Sequence, residues 1–102
     1  MRLIALFNLK PGITPQDYET WAKTTDLPTV RSLGSIDGFR VERAVAVMGS
    51  DASPPYQYIE IIDVNNEEQF GKDVASETMT KIAAQFQAMA DVTFLVTESI
   101  EA

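Results

Sequence analysis

Two carboxylates stand where packing gives no reason for them, and acid–base chemistry is what such groups offer. The first is Glu60, in the run Tyr56-Gln57-Tyr58-Ile59-Glu60-Ile61-Ile62-Asp63-Val64. Side chains of a strand alternate between faces, so Tyr56, Tyr58, Glu60, Ile62 and Val64 share one side, and Gln57, Ile59, Ile61 and Asp63 the other. Apolar residues on both sides predict a strand covered on both. A carboxylate there must be paired, hydrogen-bonded or kept neutral by a raised pKa. The structural alternative is that Glu60 points to solvent or pairs with Arg40 or Arg43 of a neighbouring strand. The second carboxylate is Asp26, in Thr24-Thr25-Asp26-Leu27-Pro28-Thr29-Val30-Arg31. Pro28 lacks a backbone donor and crowds the preceding turn, which predicts a kink or break in the helix beside Asp26. Here too a structural role competes: Asp26 as the cap of a short helix from Pro28 to Leu33.

The composition leaves acid–base work to such groups. The 102 residues include neither histidine nor cysteine. That removes the usual neutral-pH base, the commonest metal and haem ligands and the thiolate nucleophile, and leaves carboxylates, tyrosines and lysines. A site free of cofactor and metal is expected. A net charge of −7 opposes binding to phosphate backbones, so no nucleic-acid partner is expected. No apolar run is long enough to span a bilayer, and the absence of cysteine fits a cytoplasmic protein. The length is that of one domain, residues 1–102, short enough to gain from self-association.

The elements that must position these residues follow in order. Arg2 to Leu9 reads as a strand ended by Lys10-Pro11-Gly12. Thr14-Pro15-Gln16-Asp17 starts a helix, with Thr14 as cap and Pro15 in the first turn, and Tyr18 and Trp21 face the sheet. Ile36 to Gly49 alternates as a long second strand. The loop Ser50 to Pro55 turns it back into the Tyr56 to Val64 strand. Asn66 with Gln69 opens a short helix bearing Phe70 and Val74; Ser76 opens a stronger one with Met79, Ile82, Ala83, Phe86 and Met89 on one face. Val92 to Thr97 is the last strand. The order βαββαβ predicts an α+β, ferredoxin-like fold with four antiparallel strands and helices on one face. The uncovered face would be met by a second copy, giving a homodimer with Phe7 or Val45 as trial interface positions.

The stretches Phe7-Asn8-Leu9-Lys10-Pro11-Gly12, Thr25-Asp26-Leu27-Pro28-Thr29-Val30-Arg31 and Tyr58-Ile59-Glu60-Ile61-Ile62-Asp63-Val64 resemble the HapK and RedY-like family over nearly the whole chain. That resemblance implies a dimeric α/β barrel and a place in bacterial secondary metabolism leading to prodigiosin-type pyrrole pigments. A looser resemblance is to the EthD group of the same superfamily, at Tyr18, Trp21, Asp26, Leu27, Pro28, Val30, Leu33 and Phe39. Asp26 stands where that group carries histidine, which removes histidine chemistry.

From these readings the expected activity is that of a cofactor-free enzyme acting on a small aromatic or pyrrolic ligand by dehydration, condensation or cyclisation. Asp26 and Glu60 would be the acid–base pair and Tyr58 a donor. Asn8, Tyr18, Trp21 and Arg31 would hold the ligand. The alternative is an accessory protein that binds or shields a pathway intermediate.

Overall fold

A computed structural model describes residues 1–102. The chain forms β1 (Arg2–Leu9), α1 (Pro15–Trp21), a π-helical turn (Ala22–Asp26), α2 (Leu27–Arg31), β2 (Ile36–Arg43), β3 (Tyr58–Val64), α3 (Glu67–Val74), α4 (Glu77–Met89) and β4 (Ala90–Thr97). The strands pair antiparallel in the order β2-β3-β1-β4, the ferredoxin-like α+β arrangement. Local chemistry explains the helix starts. Thr14 accepts from the Asp17 N–H while Asp17 bonds back to the Thr14 N–H, and Asn66 and Ser76 cap α3 and α4 in the same way from one side.

Three strand boundaries differ from the sequence-based expectation, the last being β4, which begins at Ala90 rather than Val92 because Ala90 and Asp91 pair with Leu9 and Asn8. β2 ends at Arg43 rather than Gly49, because β3 begins only at Tyr58 and the residues past Ala44 have no strand to pair with. Val45 and Met48 are consequently 81% and 99% exposed. Tyr56 and Gln57 lie outside β3, after Pro54 and Pro55, neither of which has an N–H for a ladder. The expected break at Pro28 is instead a widened turn: the Leu27 N–H donates to the Ala22 carbonyl, five residues back. Widening moves the Thr24 carbonyl away from the proline ring and removes the need for the missing N–H.

That turn also sets which residues face the sheet. Tyr18, Ala22, Asp26 and Val30 are all buried, at strict intervals of four. On an uninterrupted α-helix each such step slips by about 40°, enough to carry the third step out of the core. The π-turn absorbs the slip and turns Asp26 inward. Asp26 has helical backbone angles and makes no capping hydrogen bond, so the cap reading is set aside.

The core has two halves. One gathers Phe7, Tyr18, Ala22, Tyr58, Phe86 and Ala90; the other Leu3, Val30, Ile36, Phe39, Ile62 and Val64. On three of the elements that join the halves the residue at the crossing breaks the run of large apolar side chains: Ala5 on β1, Glu60 on β3 and Asp26 at the π-turn. Phe7 is fully buried, stacked on Tyr58 at 5.3 Å between ring centres and edge-on to Tyr18 and Phe86 at 5.2 and 4.9 Å. It therefore belongs to the helix-covered face, not to the bare one. The opposite face presents Ile4, Leu6, Ile59, Ile61 and Leu95 with no helix over them. Phe7→Ala is expected to lose about 3–5 kcal/mol of stability in denaturant unfolding, the range for truncating a buried aromatic; a loss under about 1 kcal/mol would contradict this packing.

Candidate functional site

A cavity of about 170 Å³ opens between the inner face of the sheet and the helices. Phe39 and Ile62 form part of the sheet wall, Val30 and Leu33 close the α2 side, and Phe70 and Met79 stand opposite. Val74, Ala83, Gln87 and Phe94 are the exposed lining residues and mark its mouth. Asp26 and Glu60 are its only charged residues. Glu60 pairs in register with Ala5 on one side and Val41 on the other, and Ala5 in turn with Phe94. Glu60 and Phe94 are thus two strands apart, about 10 Å, so the cavity reaches from mouth to carboxyl across roughly one ring and a substituent.

Glu60 is 3% exposed and its Oε1 has no hydrogen-bond partner. The proposed partners are engaged elsewhere: Arg43 binds Glu19 through two hydrogen bonds, and Arg40 lies 3.6 Å from Glu42. Burial, and then the charge of Asp26, push the Glu60 pKa up from the ordinary 4.5 to about 8. Burial alone raises Asp26, itself 4% exposed, to about 6. At neutral pH the pair therefore holds one proton, on Glu60, beside an ionised Asp26. The Tyr18 hydroxyl is buried without a partner, and its pKa is raised by burial and then by the charges of Glu60 and Asp26.

Tyr58 belongs to a different cluster. Its hydroxyl donates to Glu19 Oε2 at 2.7 Å, and Arg43 Nε donates to the same oxygen at 2.9 Å. These bonds lower Glu19 to about 2, while burial and the bond to Glu19 raise Tyr58 to about 12. The cluster lines a second, shallower cleft with Lys23 and Leu27. Asn8 does not reach the cavity: it donates to the Pro55 carbonyl at 3.1 Å and accepts from the Gln57 N–H at 2.9 Å, pinning the loop before β3. Trp21 donates to Gln85 at 2.8 Å and stacks on Phe86, and Arg31 donates to the Phe39 carbonyl at 2.9 Å. These three tie elements together. The structure thus brings Asp26 and Glu60 together in the cavity lining, sets Tyr18 within reach of both charges but on the second cleft, and leaves Tyr58, Asn8, Trp21 and Arg31 outside the cavity.

Glu19 and the walls from Phe70, Met79 and Phe94 were not singled out as site residues from sequence. The periodicity that puts Phe70 and Met79 on the inner faces of their helices was the available signal for two of them. Nothing local marks Glu19. No group of three or more carboxylates converges as a metal site would require.

The pair carries a stability consequence. A carboxyl raised from 4.5 to about 8 on folding binds more protons in the folded state than in the unfolded one between those values. Stability is then greatest below pH 4.5 and is lost as pH rises toward 8. Glu60→Gln is expected to flatten that dependence, gaining on the order of 3 kcal/mol more relative to wild type at pH 8 than at pH 5. Urea unfolding at the two pH values measures it; equal effects at both would contradict the burial of an ionisable Glu60.

Comparison with known proteins agrees with the fold. The sequence matches the family described as REDY-like protein HapK over residues 1–100. Among solved structures, HapK from Hahella chejuensis superposes with a TM-score of 0.78 at 27% identity, covering 100% of this chain and 95% of that one. An EthD family protein from Bacillus halodurans gives 0.68 at 16% identity, covering 95% and 97%. SnoaB, a cofactor-independent oxygenase from Streptomyces nogalater, gives 0.69 at 11% identity, covering 97% and 93%. The last two show likeness of fold alone. No curated protein sequence matches the chain. With the match running over nearly its full length, the chain belongs to the HapK family of REDY-like proteins.

Proposed function

We propose that the chain is a cofactor-independent enzyme of bacterial secondary metabolism that performs acid–base chemistry on a small aromatic or pyrrolic intermediate of the prodigiosin type. The observation that carries this is the pair of buried carboxyls in the lining of an apolar cavity, each pushed above the ordinary carboxylate range by burial. Asp26, ionised, takes a proton from carbon or nitrogen next to a carbonyl or imine. Glu60, protonated, delivers one to the oxygen that leaves as water. Proton uptake and release balance, so dehydration, condensation and cyclisation all proceed without an oxidant. A cavity of about 170 Å³ admits one ring, since about 150 Å³ accommodates benzene. A larger intermediate would leave the rest of its length at the mouth beside Phe94.

The assembly we propose is a homodimer through the bare sheet face. Ile4, Leu6, Ile59, Ile61 and Leu95 make a continuous apolar surface across β3, β1 and β4, rimmed by Arg40, Glu42 and the Arg2–Asp63 ion pair at 2.7 Å. An extended apolar face with a polar rim on a small domain marks a protein interface. No helix is long and apolar enough to cross a membrane.

Two measurements test these readings. The protein is expected to accelerate hydrogen–deuterium exchange at the methyl group of 2-acetylpyrrole, followed by NMR, with a rate that rises through pH 6 and falls through pH 8. Asp26→Asn and Glu60→Gln should each lower it about 100-fold or more while leaving the fold intact. Full exchange in both variants would leave the chain as a binder or shield of a pathway intermediate. Light scattering should give twice the 11.3 kDa chain mass for the wild type, and Ile61→Asp should abolish the dimer, because an unpaired charge in a dry interface is poorly compensated. A stable wild-type monomer at micromolar concentration would remove the dimer.

A further inference from the structure

The cavity has an electrostatic imbalance that the acid–base reading does not use. Its lining contains two carboxyl groups and Gln87 as the only polar side chains, and no lysine or arginine. The cations near the cavity are otherwise engaged or lie elsewhere: Arg43 is bound to Glu19, Arg31 to the Phe39 carbonyl, Lys10 to the Gln87 carbonyl at 2.6 Å, and Lys23 lies on the second cleft. The titratable groups facing the pair are Tyr18 from α1 and the pair members themselves from the π-turn and β3; Val41 of β2 and Ala5 of β1 flank Glu60, and α4 contributes only the amide of Gln87. Glu60 Oε1, almost fully buried, has no donor. A buried negative charge and an unsatisfied acceptor in an apolar cavity favour a ligand that supplies positive charge and N–H donors.

We propose that this cavity selects a ligand in which one planar ring carries a single positively charged nitrogen, as a protonated amine or iminium, seated against Asp26 and Glu60. This rests on the reading of the site given above and names the ligand class it takes. The uncharged part of the ligand would lie toward the mouth against Phe94, whose ring is edge-on to Phe86 at 6.5 Å. An anionic ring is rejected, because its charge would meet Asp26 with nothing to neutralise either. The cation pairs with ionised Asp26, while Glu60 keeps its proton and accepts an N–H of the ligand through its free carboxyl oxygen, so the acid of the proposed reaction stays in place.

Calorimetric titration with benzylammonium, benzyl alcohol and benzoate, three probes of nearly one shape, tests the proposal. Benzylammonium is expected to bind at least tenfold tighter than benzyl alcohol, with benzoate not binding at millimolar concentration. In Asp26→Asn and in Glu60→Gln the preference for the cation should fall toward that of the alcohol while the alcohol still binds. Equal binding of alcohol and ammonium, binding of benzoate, or no binding by any probe would overturn the proposal. A protein that selects benzylammonium but does not exchange 2-acetylpyrrole protons has the cation site without the catalysis. One that exchanges protons but shows no charge preference has the catalysis and not the cation site.

Discussion

The inner face of β3 holds a carboxyl group with no partner, and the rest of the fold is arranged around that constraint. Leaving Glu60 neutral is the cheapest response available to a group with no cation in reach. The neighbours are shaped accordingly. Ala5 on the adjacent strand is small where Leu3 and Phe7 are large, and the second carboxyl arrives from the helix side at the same level. The core is therefore not one cluster but two, an aromatic half around Phe7 and an aliphatic half around Phe39 and Ile62. The two carboxyls occupy the seam. Stability is supplied on both sides of the seam, which is how the molecule tolerates a destabilising group inside it.

The π-turn is the device that makes the seam possible. A regular helix from Pro15 to Arg31 would drift across the sheet and present Thr25 nearer to where Asp26 now stands. Ala22 to Asp26 adds width to the turn, accommodates Pro28 without breaking the helix and keeps Tyr18, Ala22, Asp26 and Val30 in one line. Irregular helical turns of this kind are frequent at functional sites. Asp26 owes its burial, and hence its raised pKa, to that backbone choice and not to any hydrogen bond of its own.

Much of this was legible in the sequence, and what was not has identifiable causes. Strand alternation placed Glu60 with Tyr58 and Ile62, and the structure buries all three on one face. The element order led to the ferredoxin-like sheet. Pro28 marked the irregularity beside Asp26, but a proline signals only that something must give; whether a helix kinks, stops or widens depends on what the next turn packs against. Tyr58 illustrates a different limit. Its face was predictable, yet its hydroxyl is held by Glu19, an acid from a helix 39 residues away whose approach no local pattern announces. Phe7 shows the same limit in reverse: a strand apolar on both sides does not say which side the helices will choose. The extra length expected of β2 failed because alternation describes an intrinsic preference, while a strand exists only as far as its partner does.

The central claim is that Asp26 and Glu60 share one proton at neutral pH because both are buried at the end of an apolar cavity. Carboxyl carbon chemical shifts of the two residues, followed by NMR across a pH titration with Asp26→Asn and Glu60→Gln for assignment, test it most directly. The account predicts one carboxyl ionising near pH 6 and the other near pH 8, with the upper transition falling when Asp26 is replaced, since its charge contributes to the upward shift of Glu60. Two independent transitions near pH 4, the ordinary range of exposed carboxylates, would contradict it.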